Sequence, residues 1–273
     1  MVEPLIILDP NDPRLDDYRA LRDVVRRRAG TFIAESEAVI RQLLSTGHAV
    51  RSLLLTPSRL ARLAVELAAV SAPIFVADAA IIDAVVGFPL HRGALALGVR
   101  PIGPAPCDVL ERLPDRATVV VLEDVVDPDN LGSVFRHVAG FGADAVLLSR
   151  HAGDPLYRKA IRTSMGWSLS IPCARWQVPA SEWVSELHSF GFTTVALTPH
   201  GATELWDCVG ADRTAFMLGA ESVGLTTEAL GAASVRARIP MAIGVDSLNV
   251  AATGALALYE RFRPGPHLPL NRA

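Results

Sequence analysis

A chain of 273 residues, half of them apolar, is long enough for two modest domains or one large one, and its well-mixed charges exclude long disorder. The three cysteines, Cys107, Cys173 and Cys208, form no C-x-x-C pair and so indicate neither a zinc site nor a disulfide framework. The N-terminus lacks the basic-then-apolar order of a signal peptide, and the most apolar region, 65–87, is broken by Pro73, Asp78 and Asp83. The chain is therefore expected to be cytoplasmic, with no membrane span and no metal. Its net charge of −3 is unevenly spread: residues 1–100 hold 12 Lys and Arg against 11 Asp and Glu, and the remainder 14 against 18.

Residues 1–13 read as an extended lead-in. A helix is predicted from Asp16 to Arg28, with Leu15, Tyr18, Leu21, Val24 and Val25 on one side and the basic cluster Arg22, Arg26, Arg27 and Arg28 on the other. Such a cluster is either a solvated helix face or a phosphate-binding one. Strands are predicted at 32–34, 50–56, 74–76 and 94–99, with helices at 36–44, 58–69 and 78–86. This alternation describes a small three-layer α/β/α domain over 1–100. The Pro-rich stretch at 101–106 opens a linker, taken as 101–115. A second domain, 116–263, is predicted to have strands at 118–122, 145–149, 194–198, 215–219 and 235–239 and a last helix from Leu248 to Phe262. Nearly continuous apolar strands alternating with helices indicate a mostly parallel sheet covered on both faces. The tail, 264–273, holds three prolines and reads as irregular.

Three stretches of the second domain carry polar chemistry where strands end. In Glu123 to Arg136 a β-branched strand runs into an acidic turn, with Asn130 at the mouth of a helix and Arg136 further along it. A cap and a solvated Arg would account for these two residues just as well. In Phe216 to Leu225 a buried strand ends at Gly219, where a backbone could approach a ligand, and Glu221 follows on the exposed turn. In Ile239 to Ala251 a strand enters a loop, and Ser247 and Asn249 stand as helix-start caps before a long small-residue helix. All three loops are expected at the same edge of one sheet.

In order, Asn130-x-Gly132-x-x-x-Arg136, Gly219-x-Glu221-x-x-Gly224, and Ile239-Pro240-Met241 with Ser247-Leu248-Asn249-Val250 resemble the three motifs of the SpoU/TrmH branch of the SPOUT RNA methyltransferases. Arg158 to Gly166 resembles the K-x-x-R-x-S-x-G segment often found between the first two. The N-terminal part is similar to the substrate-binding domain of the ribosomal RNA methyltransferases, including the thiostrepton-resistance enzymes. Phe32-Ile33-Ala34-Glu35 resembles its F-x-x-E-G, with Ser36 for Gly, and His91-Arg92-Gly93 its H-Q-G, with Arg92 for Gln.

The resemblance implies a sheet whose last segment threads a deep trefoil knot, and S-adenosylmethionine held there by Leu197, Thr198, Gly219, Ile239, Met241 and Leu248. It implies methylation of a ribose 2′-hydroxyl in RNA, ribosomal in preference to transfer RNA, with Asn130, Arg136, Glu221, Ser247 and Asn249 catalytic. RNA contacts are assigned to Arg22, Arg26, Arg27, Arg28, Arg158 and Arg162. It also implies a homodimer packed through the C-terminal domain, with Arg136 reaching the other subunit's cofactor. Where many members have Gly two residues after the Met, this chain has Ile243 and then Gly244. Because a guanidinium stays protonated, Arg136 suits a phosphate clamp better than a base. Two other classes compete with this reading. One is a catalytically silent RNA-binding protein, against which the intact polar set argues. The other is a nucleotide-binding oxidoreductase, for which no G-x-G-x-x-G follows an early strand.

Overall fold

The structure is a computed structural model that describes residues 3–19, 21–90 and 92–263. His91 and the tail 264–273 therefore lie outside the described residues. The chain divides into two compact units. Of the described residues, one unit contains those up to Ile102 together with Asp154–Ser170, and the other contains Gly103–Gly153 and those from Ile171 to Arg263.

The first unit is built on β1 (Leu5–Ile6), β2 (Thr31–Glu35), β3 (Val50–Leu55), β4 (Ile74–Val76) and β5 (Ala94–Val99), in the order β1-β4-β3-β5-β2. β4 runs parallel to β1 and β3, whereas β5 is antiparallel to both β3 and β2. Strand side chains alternate between faces. Phe32, Leu53, Leu55, Ile74 and Ala96 pack with Val39, Ile40 and Leu43 of α3 (Glu37–Ser45), near α4 (Pro57–Arg62) and with Leu67 of α5 (Ala64–Leu67). Ile33, Leu54, Phe75, Leu95 and Leu97 pack instead with Tyr18 of α1 (Asp16–Arg19) and with Ile82 and Val85 of α6 (Ala79–Val86).

The boundary expected from the sequence places Asp154–Ser170 in the C-terminal part. Its helix α9 (Arg158–Thr163) instead sends Ile161 into the core of the first unit. The single helix expected over 16–28 is two helices, α1 and α2 (Asp23–Arg28), because Arg22 adopts an extended backbone between them. The break resets the helical phase, so Arg26 rather than Val24 or Val25 points inward. Ser36, where the resembled segment has Gly, takes a φ of 94°, a region that favours glycine, and its hydroxyl caps α3.

The second unit holds β6 (Ala117–Leu122), β7 (Ala145–Leu148), β8 (Cys173–Arg175), β9 (Thr193–Leu197), β10 (Thr203–Glu204), β11 (Arg213–Leu218) and β12 (Val235–Arg238). Their order is β10-β12-β9-β11-β6-β7-β8, and every pairing is parallel. The strands β6 and β7 are buried throughout, as a parallel sheet covered on both faces requires. The two short edge strands β8 and β10 were not predicted.

The supposed linker holds a helix, α7 (Pro106–Glu111), whose Val109 and Leu110 join the core of this unit. That core also takes Trp183, Val184 and Leu187 of α10 (Ala180–Ser189) and Ala229 of α11 (Thr227–Ala232). On the other face α8 (Pro128–Phe141) packs against α12 (Val250–Phe262). Buried Arg261 of α12 donates to Thr118 Oγ1 at 3.0 Å and to the carbonyl of Asp212 at 2.9 Å, pinning the last helix to the starts of β6 and β11.

Candidate active site

Because β6, β9, β11 and β12 are adjacent and parallel, the segments that follow them leave from one edge of the sheet. β6 and β11 end in register, Leu122 beside Leu218. That edge is where open α/β sheets place ligands.

After β6 the chain is held by polar contacts. The buried Glu123 carboxylate accepts from Thr226 N and Thr226 Oγ1, both at 2.8 Å, so the turn after β6 is tied to the turn before α11. Burial pushes the Glu123 carboxyl above its ordinary value. Asp124 has a φ of 55°, and its backbone N–H donates to Ser149 Oγ, whose hydroxyl donates back to the Asp124 carboxylate. Asp127 then caps α8 by accepting from the N–H groups of Asp129 (2.8 Å) and Asn130 (3.0 Å). The helix starts earlier than the sequence suggested, and Asp127 performs the capping that Asn130 could have done.

The Asn130 side chain is thereby left for another task. Asn249 caps α12, its Oδ1 accepting from Ala251 N at 2.9 Å and Ala252 N at 3.2 Å. Asn249 Nδ2 must then point away from the helix, and it donates to Asn130 Oδ1 at 2.8 Å. Asn130 Nδ2 in turn donates to Glu221 Oε1 at 2.6 Å. Backbone N–H groups fix one end of this run and an acceptor-only carboxylate the other, so both amide orientations follow from chemistry. One residue from each of the three stretches is thus joined in a single hydrogen-bonded row. Ser247 is exposed and makes no hydrogen bond among the described residues. The cap of α12 is Asn249 alone.

Beside this row lies a cavity of about 540 Å³. Leu197, Thr198, Gly219, Ile239, Met241 and Leu248 all line it, together with Glu221, Ser247 and Asn249. Gly219 needs to be glycine for a reason other than the one expected. A Cβ there would lie 2.1 Å from Gly224 C and Leu225 N, so the close approach is to the chain's own backbone. That backbone doubles back because Gly224 N bonds Ala220 O at 2.8 Å with a φ of 70° at Gly224. Arg136 does not line the cavity. It is exposed on α8 and makes no hydrogen bond or ion pair among the described residues. Nor is Glu221 paired with it, since the partner of Glu221 is Asn130.

The basic residues proposed for RNA all lie in the first unit. Arg26 is buried, and its guanidinium pairs with Asp17 at 2.9 Å, so it is not a surface cation. Arg27 and Arg28 are exposed, Arg27 lying 3.7 Å from the Asp154 carboxylate. Arg22, Arg158 and Arg162 line one groove. Sequence reasoning missed Glu123 and Asp127. An acidic residue directly after an apolar strand, and an Asp before Pro, were the available signals.

Residues 117–259 match the family model described as the SpoU rRNA Methylase family. The chain is 43% identical, over 96% of its length and 93% of the relative's, to an uncharacterized tRNA/rRNA methyltransferase of Mycobacterium tuberculosis. Its structure is similar to that of the SpoU methyltransferase AviRb from Streptomyces viridochromogenes, solved in complex with the cofactor AdoMet. That similarity has a TM-score of 0.78 and 26% identity, covering 93% of this chain and 98% of that one. A crystal structure described as an RNA 2′-O ribose methyltransferase is similar with a TM-score of 0.77 and 27% identity, covering 95% and 98%.

Proposed function

Because this chain belongs to the SpoU rRNA methylase family, we propose that it transfers the methyl group of S-adenosylmethionine to a ribose 2′-hydroxyl of RNA, ribosomal RNA in preference to transfer RNA. The reading rests above all on the row Asn249–Asn130–Glu221 beside the cavity. Similarity to a 2′-O ribose methyltransferase supports the choice of hydroxyl. We place the reaction in the cytoplasm.

The residues present suit the cofactor. About 540 Å³ falls within the range of small-molecule sites. Leu197, Ile239, Met241 and Leu248 offer apolar surface, and Thr198 and the backbone from Gly219 to Leu225 offer polar groups. Bound there, S-adenosylmethionine supplies an electrophilic methyl group on a sulfonium. The chain must then place the ribose oxygen in line and accept its proton. Positioning of this kind contributes about 7–11 kcal/mol in favourable cases. Glu221 is the acceptor at hand, with Oε1 steadied by Asn130 and Oε2 making no hydrogen bond among the described residues. The exposed hydroxyl of Ser247 orients the sugar. Arg136, always protonated, clamps the adjoining phosphate and stabilises developing charge on the oxygen. The deep trefoil knot belongs to this reading, with the segment between β12 and α12 as the threaded part.

The experiment that tests the function is a map of ribose methylation in the RNA of cells with and without this protein. One ribosomal position should lose its methyl group when the protein is removed. An unchanged ribosomal map with a changed transfer RNA map would move the substrate, and no change in either would remove the proposal.

We also read the protein as a homodimer packed through the second unit, with Arg136 of one chain serving the partner's cavity. Arg136 does not line its own cavity, and α12 leaves Leu256 and Tyr259 exposed at neighbouring positions of one helix face. Mixed subunits test this. An Arg136→Ala chain and a Leu248→Trp chain, the latter filling the cavity, are each expected to be inactive. Reassembled in equal amounts, they should recover about a quarter of wild-type activity, because half the dimers are mixed and each of these keeps one intact site. No recovery, with exchange shown by mass, would place Arg136 at its own chain's site.

A further inference from the structure

The first unit carries a groove that the proposed chemistry does not use. It lies between the junction of α1 and α2, the end of α6, and α9, and its volume is about 640 Å³. Arg19, Arg22, Arg158, Lys159 and Arg162 line it, with Asp23 the one lining carboxylate. Two of these cations are already matched: Arg19 donates to Asp16 at 3.0 Å, and Arg158 lies 3.4 Å from Glu35. Arg22 and Arg162 have no carboxylate partner among the described residues. An aromatic ring sits among these charges. The Arg158 guanidinium lies 5.2 Å from the centroid of Phe88, and Phe88 remains 36% exposed.

Two walls of the groove are tied together. Arg158 N donates to Asp23 at 2.8 Å, which joins α9, the helix of Arg162, to the start of α2, which Arg22 precedes. Guanidinium groups lining one groove with an exposed ring suit neither a duplex, whose bases are stacked away, nor a simple anion, which needs no ring. They suit a strand whose phosphates follow the cations while a base lies on the aromatic face.

We infer that this groove holds an unpaired stretch of the RNA substrate, with Arg22 and Arg162 on its phosphates and Phe88 as the platform for one base. The inference rests on the reading of the chain as an RNA methyltransferase and adds the conformation of RNA that the first unit selects. It replaces the wider arginine cluster, since Arg26 is buried and Arg27 and Arg28 do not line the groove.

The test uses the full chain and a labelled single-stranded oligoribonucleotide, with a duplex of the same sequence as control. Removing both charges (Arg22→Ala with Arg162→Ala) should reduce the steepness of the log affinity against log salt plot by about 1.4, near 0.7 for each phosphate contact on a single strand. Phe88→Leu should weaken single-strand binding about ten-fold, leave the salt slope unchanged, and leave duplex binding unchanged. Both variants should bind S-adenosylmethionine like wild type, which shows that they fold. An unchanged salt slope in the double variant, or equal losses on single strand and duplex for Phe88→Leu, overturns the inference, and so does failure of the wild-type chain to bind unpaired RNA. Failure of the wild-type chain to methylate ribosomal or transfer RNA would overturn the function instead, and binding to oligonucleotides does not depend on that result.

Discussion

Arg136→Ala should lower the rate of methyl transfer by about 10²–10³-fold, the cost typical of removing one donor that stabilises transition-state charge. Two features of the structure set this expectation. Arg136 is exposed without an ion pair among the described residues, so its guanidinium is not committed to holding the fold. It also stands on α8 six residues, less than two turns, beyond Asn130, whose amide is already engaged by Glu221 and Asn249. Stability should therefore change little while turnover falls. Arg136→Lys separates clamp from base. A lysine keeps the charge and loses the planar fork, so a clamp should recover only part of the rate and show no new ionisation in the pH profile. A lysine acting as base would bring a rising limb near its own pKa. Turnover of Arg136→Ala within a few-fold of wild type would remove the residue from the mechanism altogether.

The second large effect belongs to Gly219→Ala. A single methyl group would lie 2.1 Å from two backbone atoms, Gly224 C and Leu225 N, which have no side-chain freedom with which to yield. The turn from Ala220 to Gly224 must then open, and it carries Glu221 and one wall of the cavity. A loss of about 3 kcal/mol or more is expected, together with loss of S-adenosylmethionine binding. Thermal unfolding and calorimetry read the two quantities separately. A glycine kept only for contact with a ligand would behave otherwise, with binding lost and the melting temperature unchanged.

Much of this was legible in the residues, and the failures have physical causes. The central strands were plain because a parallel sheet buried on both faces demands unbroken apolar runs, as at 118–122 and 145–148. The strands 173–175 and 203–204 were not, since two or three residues paired at an edge carry no periodicity. The apolar face drawn across 16–28 failed because the helix is interrupted at Arg22, and a phase carried through a break turns the wrong residues inward. The helix at 106–111 was hidden by the prolines before it, one of which is its first residue.

At the site, the motifs named Asn130, Glu221 and Asn249 singly. Their hydrogen bonds join positions 91 and 119 residues apart, and no local rule reaches that far. Gly219 was singled out for close approach to a ligand, and the structure adds a second neighbour, the backbone of Gly224 and Leu225, because sequence does not say which backbone a glycine lets near. The row of amides also explains why Asn130 suits its position better than Asp. A carboxylate there would face Glu221 with like charge and leave that residue without its donor.

Methyl transfer to a ribose hydroxyl leaves a chemical signature that can be read directly. Protein-free ribosomal RNA is incubated with the chain and methyl-labelled S-adenosylmethionine, then digested with alkali, which cleaves the backbone through free 2′-hydroxyls. The label should appear in alkali-resistant dinucleotides, because a methylated 2′-oxygen cannot attack the neighbouring phosphate, and the Arg136→Ala chain should give almost none. Label recovered in mononucleotides would mean methylation of a base, and the absence of label from both ribosomal and transfer RNA would contradict the account.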